Sequence, residues 1–139
     1  MISFNKSTHA YPKDLKQYQW KNRLILVFAP NAENKDLQSI LKQFDKQKCE
    51  MQNRDLVAGL FTINNKAMLD NDPLDFESSA GIKRFYELSD NEFTAILVGK
   101  DGHEKQRYKE APNLGEIFST IDRMPMRIME SKLPHSSCS

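Results

Sequence analysis

Arg23-Leu24-Ile25-Leu26-Val27-Phe28-Ala29-Pro30-Asn31-Ala32-Glu33-Asn34, followed by the helical pattern Lys35–Gln47, is the stretch that decides the fold. Arg23–Phe28 is a continuous β-rich apolar run, the pattern of a central strand covered on both faces. Ala29-Pro30-Asn31-Ala32 breaks it. Leu37, Ile40, Leu41 and Phe44 then recur at i, i+3, i+4 and i+7, one apolar stripe of a helix. Asn34 has the side chain of an N-cap, and Lys46 and Lys48 suit the negative end of the helix dipole.

Working outward, Asp55–Ile63 reads as a second strand, closed by the Asn64-Asn65 turn. Leu69–Ser79 is acidic and irregular. A short helix runs through Ile82, Phe85 and Tyr86, with Ser78 or Ser79 as its cap. Phe93–Val98 is a third strand, and Gly99-Lys100-Asp101-Gly102 a hairpin turn with Gly102 supplying positive φ. His103–Tyr108 is a polar fourth strand whose Lys105 and Arg107 mark an exposed edge. Leu114, Ile117, Phe118 and Ile121 stripe a last strong helix, capped by Asn113 with Glu116 three residues on. A short further helix starts at Pro125.

The order β-α-β-α-β-β-α requires a right-handed crossover between two parallel strands, and the hairpin adds an antiparallel pair. The expected architecture is an α/β three-layer sandwich, a mixed four-stranded sheet with helices on both faces. That is the thioredoxin-like arrangement, although other α/β sandwiches share the string. Residues 1–14 read as a flexible arm, 15–130 as the domain and 131–139 as a flexible tail. Leu15, Tyr18 and Trp20 are expected to anchor the arm, Trp20 by packing rather than as a ligand platform.

The chain has 139 residues, 39% hydrophobic and 28% charged, the balance of one packed domain. Twenty basic against nineteen acidic residues give no basic excess, which argues against nucleic acid. No apolar run approaches the ~20 residues of a membrane helix. Met1-Ile2-Ser3-Phe4 has no signal-peptide core, so the expectation is a cytoplasmic protein, or an exported one whose signal was removed.

"YQWKNRLILVFAP", "EFTAILVGKDG" and "IDRMPMR" together resemble one family. It is a domain of unknown function common in bacteria that recurs in vertebrate extracellular proteins, including equarin and the sushi-repeat proteins, where it is grouped as peroxiredoxin-like. The resemblance covers roughly residues 15–130. It implies a thioredoxin-like fold and no particular reaction; vertebrate members are associated with matrix and adhesion roles.

Thioredoxin and peroxiredoxin chemistry needs a cysteine in the first turn of the helix after strand one, where free N–H groups stabilise a thiolate. Here Asn31-Ala32-Glu33-Asn34-Lys35 carries none, and Glu33 brings a negative charge. The proline that these families place before strand three is also missing from Asp90-Asn91-Glu92-Phe93. The two cysteines, Cys49 and Cys138, form no CxxC and read as unrelated free thiols. Cys49 is the only substitute nucleophile, and it falls at the C-terminal end of the first helix, where the dipole suppresses a thiolate.

His9, His103 and His135 share no element, so no metal is expected. Asp70, Asp72 and Asp75 lack the Gly and Glu of a calcium loop and read as solvated. No phosphate-loop or nucleophile-elbow motif occurs, and no cofactor is implied. Met124, Met126 and Met129 fill the core beneath the last helix, or form a docking patch for a partner; a third reading is self-association through this Met-rich segment.

The reading is a non-catalytic module that binds a partner, expected to be a protein. The candidate binding residues are Pro30, Asn31, Glu33, Asn91 and Phe93, with Lys100 and Arg54 as weaker ones. The competing reading is an atypical thiol peroxidase or oxidoreductase using Cys49.

Overall fold

The computed structural model describes residues 10–62, 67–133 and Cys138. A mixed sheet forms its middle layer, in the order β4-β3-β2-β1-β5-β6. Its strands are β1 (Arg23–Ala29), β2 (Leu56–Thr62), β3 (Ala67–Leu69), β4 (Asp72–Leu74), β5 (Thr94–Val98) and β6 (Glu104–Tyr108). The helices are α1 (Lys13–Lys16), α2 (Lys35–Lys46), α3 (Lys48–Asn53), α4 (Phe76–Phe85), α5 (Leu114–Asp122) and α6 (Pro125–Glu130).

β1 is buried along its whole length, as a continuous apolar run requires. It pairs in parallel with β2 and antiparallel with β5. Alternate β1 residues feed two cores. Ile25, Val27 and Ala29 pack with Leu37, Ile40, Ile117 and Ile121 from α2 and α5. Leu24, Leu26 and Phe28 pack with Leu15, Ile82 and Tyr86 on the opposite face, where Phe28 stacks on Phe61 with centroids 4.5 Å apart. Helices on both faces of a mixed sheet are therefore present as expected.

The sheet has six strands rather than four. The two additional strands fall in the segment expected to be irregular: Ala67–Leu69 and Asp72–Leu74 form a tight hairpin turned by Asp70 and Asn71, both at positive φ. Asp and Asn tolerate that conformation, and Pro73 is tolerable because β4 is an edge. The next helix starts earlier than expected. Its cap is Asp75, whose carboxylate accepts from the Ser78 N–H at 2.8 Å, not Ser78 or Ser79. Asn34 and Asn113 cap α2 and α5 as read, accepting from the N–H groups of Leu37 and Glu116. The hairpin at Gly102 (φ 86°) closes through Gly99 N–H donating to the His103 carbonyl.

Two further corrections matter for function. The first helix ends at Lys46, and Cys49 lies in the first turn of the separate helix α3. Cys49 and Cys138 are not free thiols but a disulfide, with Cα atoms 5.7 Å apart. The tail is therefore tied to α3 at Cys138, while Pro134–Ser137 and Ser139 lie outside the described residues. Leu15 is buried and Tyr18 packs beside it, but Trp20 is no packing anchor: it is 62% exposed. Met124 packs on the core, whereas Met126 and Met129 face solvent. No helix among the described residues is long and apolar enough to cross a membrane.

Candidate functional site

The seven residues read as binding candidates fall at opposite ends of β1, separated by the ~20 Å that seven strand residues span. Pro30, Asn31 and Glu33 follow its C-terminal end. Asn91 and Phe93 lead into β5, and the pairing of Phe28 with Thr94 brings them to the same end. Arg54 and Lys100 lie at the other end, beside Arg23. A cavity of about 510 Å³ between α1 and α4, lined by Lys13, Asp75, Glu77 and Arg84, includes none of the seven.

At the first end, the segment after β1 uses its own donors. The Asn31 side-chain oxygen accepts from the Glu33 N–H at 3.0 Å, and the Asn34 oxygen from the Leu37 N–H at 3.0 Å. Gln38 Nε2 donates to the Ala32 carbonyl. Two amide oxygens thus occupy N–H groups that a thiolate would need at a helix start. Asn31, Glu33 and Asn91 are exposed, and Pro30 is half-buried. Phe93 is buried in the core against α2, so it can position this end but not present a surface.

Two side chains that sequence reasoning missed brace this end. Asp36 accepts from the Ala111 N–H at 2.9 Å. Gln43 forks onto the segment before α5, donating to the Pro112 carbonyl and accepting from the Leu114 N–H. Both are polar residues on the flanks of an apolar stripe, a position that the pattern alone assigns to solvent.

The second end holds a network of ion pairs. The buried Arg23 guanidinium donates to both Glu130 oxygens, at 3.0 and 3.2 Å. Lys100 Nζ bridges Asp55 and Glu130 at 2.9 and 2.7 Å. Arg127 pairs with Asp122 and donates to the Asn53 side chain and carbonyl. Arg54 forks onto Asp122, pairs with Glu50 and covers the Phe118 ring at 4.4 Å. Burial raises the Glu130 carboxyl, but Arg23 and Lys100 more than offset it and hold the group below the usual range. Burial likewise raises Asp122, and Arg54 with Arg127 pull it below that range. Arg54 and Lys100 are thereby committed to internal partners.

On the far face, burial pushes the Tyr86 hydroxyl well up, with Tyr11 adding to the shift. Among the described residues no group of three His, Cys, Asp or Glu side chains is arranged to hold a metal ion. His103 sits exposed in the hairpin; His9 and His135 lie outside the described residues.

A parallel β1–β2 pair crossed by α2, with β5 and β6 antiparallel beside it, defines a thioredoxin-like α/β fold. The reduced 2-Cys peroxiredoxin of Plasmodium vivax superposes with a TM-score of 0.59 over 84% of both chains at 17% identity. The mitochondrial 2-Cys peroxiredoxin of Plasmodium falciparum gives 0.56 over 86% of this chain and 84% of its own, at 16% identity. Residues 14–130 match the family "Domain of unknown function (DUF4174)", and the chain belongs to it. Among curated relatives, coiled-coil domain-containing protein 80 of Danio rerio is 26% identical over 138 residues, 88% of this chain and 16% of that protein. Sushi repeat-containing protein SRPX2 of Rattus norvegicus is 26% identical over 112 residues, 78% of this chain and 24% of that protein. The chain thus spans less than a quarter of the length of either relative.

Proposed function

We propose that this chain is a redox-silent peroxiredoxin-like module that works by binding another protein through the sheet end formed by Pro30–Asn34 and Asn91–Phe93. The observation that carries the reading is the occupation of the α2 start by Asn31 and Asn34, whose side-chain oxygens take the donors that peroxidatic chemistry would use. The scaffold places two loops side by side there, and the exposed Asn31, Glu33 and Asn91 offer amide and carboxylate groups to a partner. Bracing by Asp36 and Gln43 pre-organises the surface, which lowers the entropy cost of binding.

The Cys49–Cys138 disulfide supports an oxidising location. Such bonds form and persist in exported proteins and are rare where glutathione keeps thiols reduced. We therefore place the chain outside the reducing cytoplasm.

The test is site-specific photocrosslinking from position 33 in the native host, compared with position 42 on the outer side of α2. A discrete protein adduct from position 33 that Asn31→Arg and Asn91→Arg both abolish is the expected result. An adduct indifferent to both substitutions, or equally strong from position 42, would overturn the placement.

A further inference from the structure

Helix α6 is packed inside out. At 100° per residue, Arg127 and Glu130 share one side of it, and that side is buried: Arg127 is 6% exposed and Glu130 is seated on Arg23 and Lys100. Met126 and Met129 (i, i+3) and, just beyond the helix, Leu133 fall on one adjoining stripe and are 41%, 65% and 63% exposed, while Ile128 on the other flank is 44% exposed. A helix on a soluble domain ordinarily buries its apolar arc and solvates its charges. The Arg127 and Glu130 ion pairs hold this one the other way round.

Trp20 joins the same end of the molecule. Its N–H donates to the carbonyl of Lys100, whose ammonium holds Glu130. Its φ is 70° and its indole is largely exposed. A bulky side chain in the left-handed region is an outlier that costs energy and persists where the surroundings impose it. The strained turn therefore leaves the only tryptophan exposed at the end of the sheet where Lys100 meets Glu130 of α6.

The charges beneath this surface cancel: Arg23, Arg54, Lys100 and Arg127 face Glu50, Asp55, Asp122 and Glu130. The flanks do not cancel. Lys21, Arg123 and Lys132 are exposed and take part in no ion pair among the described residues.

We infer that this end of the molecule docks peripherally on an anionic lipid bilayer, with Trp20, Met126, Met129 and Leu133 at the headgroup–acyl boundary and Lys21, Arg123 and Lys132 on the phosphates. A protruding helix face with an aromatic anchor and flanking cations is the pattern of interfacial binding. A second copy fits less well, because an isologous contact would set the three flanking cations of one copy against those of the other. The inference is independent of the partner surface at the opposite end of β1.

Trp20 reports directly on this contact. The intact, oxidised chain is titrated with vesicles of phosphatidylglycerol and phosphatidylcholine, and with phosphatidylcholine alone, while Trp20 emission and vesicle co-flotation are followed. The expected result is a blue shift and flotation with anionic vesicles only, weakened by added salt. Neutralising Lys132 (Lys132→Gln) weakens binding about fivefold, and neutralising all three flanking cations about a hundredfold. Met129→Ser weakens it without altering the circular dichroism spectrum, since the side chain is already exposed. The inference is overturned by unchanged Trp20 emission with anionic vesicles at low salt, or by equal binding of the triple variant. It is also overturned by a lipid-free blue shift that tracks dimer formation in sedimentation, which would make the occupant a second copy.

Discussion

Replacing Cys138 with serine isolates the contribution of the disulfide. The bond closes a loop of sequence separation 89 in the unfolded chain. Its removal also frees the native tail, which leaves α6 only eight residues before Cys138. The loop-closure entropies of the two states differ as 1.5R ln(89/8), so the net loss is about 2 kcal/mol rather than the ~4.6 kcal/mol of the unfolded-state term alone. With an unfolding entropy near 2.1 cal/mol/K per residue over 139 residues, that lowers Tm by about 7 °C. Urea unfolding of Cys138→Ser against the oxidised wild type measures it, and dithiothreitol added to the wild type reproduces the same loss. A change below about 0.5 kcal/mol would refute the closed loop. A loss near the unfolded-state value would show that Cys138 stays beside α3 in the native state even without the bond.

Glu130→Ala leaves Arg23 and Lys100 short of a buried partner, and chemical denaturation is expected to show a loss of about 3 kcal/mol. Glu130 and Asp122 have depressed folded-state values, so their contribution is present above the unfolded carboxylate range, roughly pH 4, and is lost as pH falls through the lower folded values. Stability measured between pH 5 and pH 2 therefore falls less steeply in Glu130→Gln than in the wild type. Gly59→Ala would set a Cβ 2.9 Å from Leu26 Cδ2 and 3.1 Å from both Leu69 Cδ1 and Phe61 Cε1 in a full core, so thermal unfolding should register a loss of about 1.5 kcal/mol. Asn34→Ala removes the α2 cap and costs about 1 kcal/mol by the same assay.

The central layer was legible because its signals are local. Leu24–Phe28 is apolar at every position and must be covered on both sides, and the α2 and α5 stripes with Asn34 and Asn113 mark helix faces and starts without tertiary information. The β3–β4 hairpin was not, because strands of three residues carry too little pattern, and its turn depends on Asp70 and Asn71 adopting positive φ. The break between α2 and α3 at Gln47 was hidden by an unbroken polar run, and with it the true position of Cys49. The disulfide itself depends on two Cα atoms meeting across 89 positions, which no spacing rule supplies.

Of the candidate residues, Pro30, Asn31, Glu33 and Asn91 were read from the arrangement of β1 and β5, and they lie together at one end of the sheet. Lys100 and Arg54 were placed with them because a sequence does not show which cations are spent internally. Arg23, Arg127 and Glu130 were missed for the same reason: Arg and Glu are read as solvated by default, and α6 reverses that rule.

The central claim is that the peroxiredoxin-like scaffold carries no reactive thiol. The most direct measurement is intact mass of the natively purified protein after alkylation, before and after equimolar hydrogen peroxide. The account predicts no alkylation without reduction, two alkylated cysteines after it, and no peroxide consumed. Free Cys49 in the native protein, oxidised by peroxide at a rate that Cys49→Ser abolishes, would contradict it.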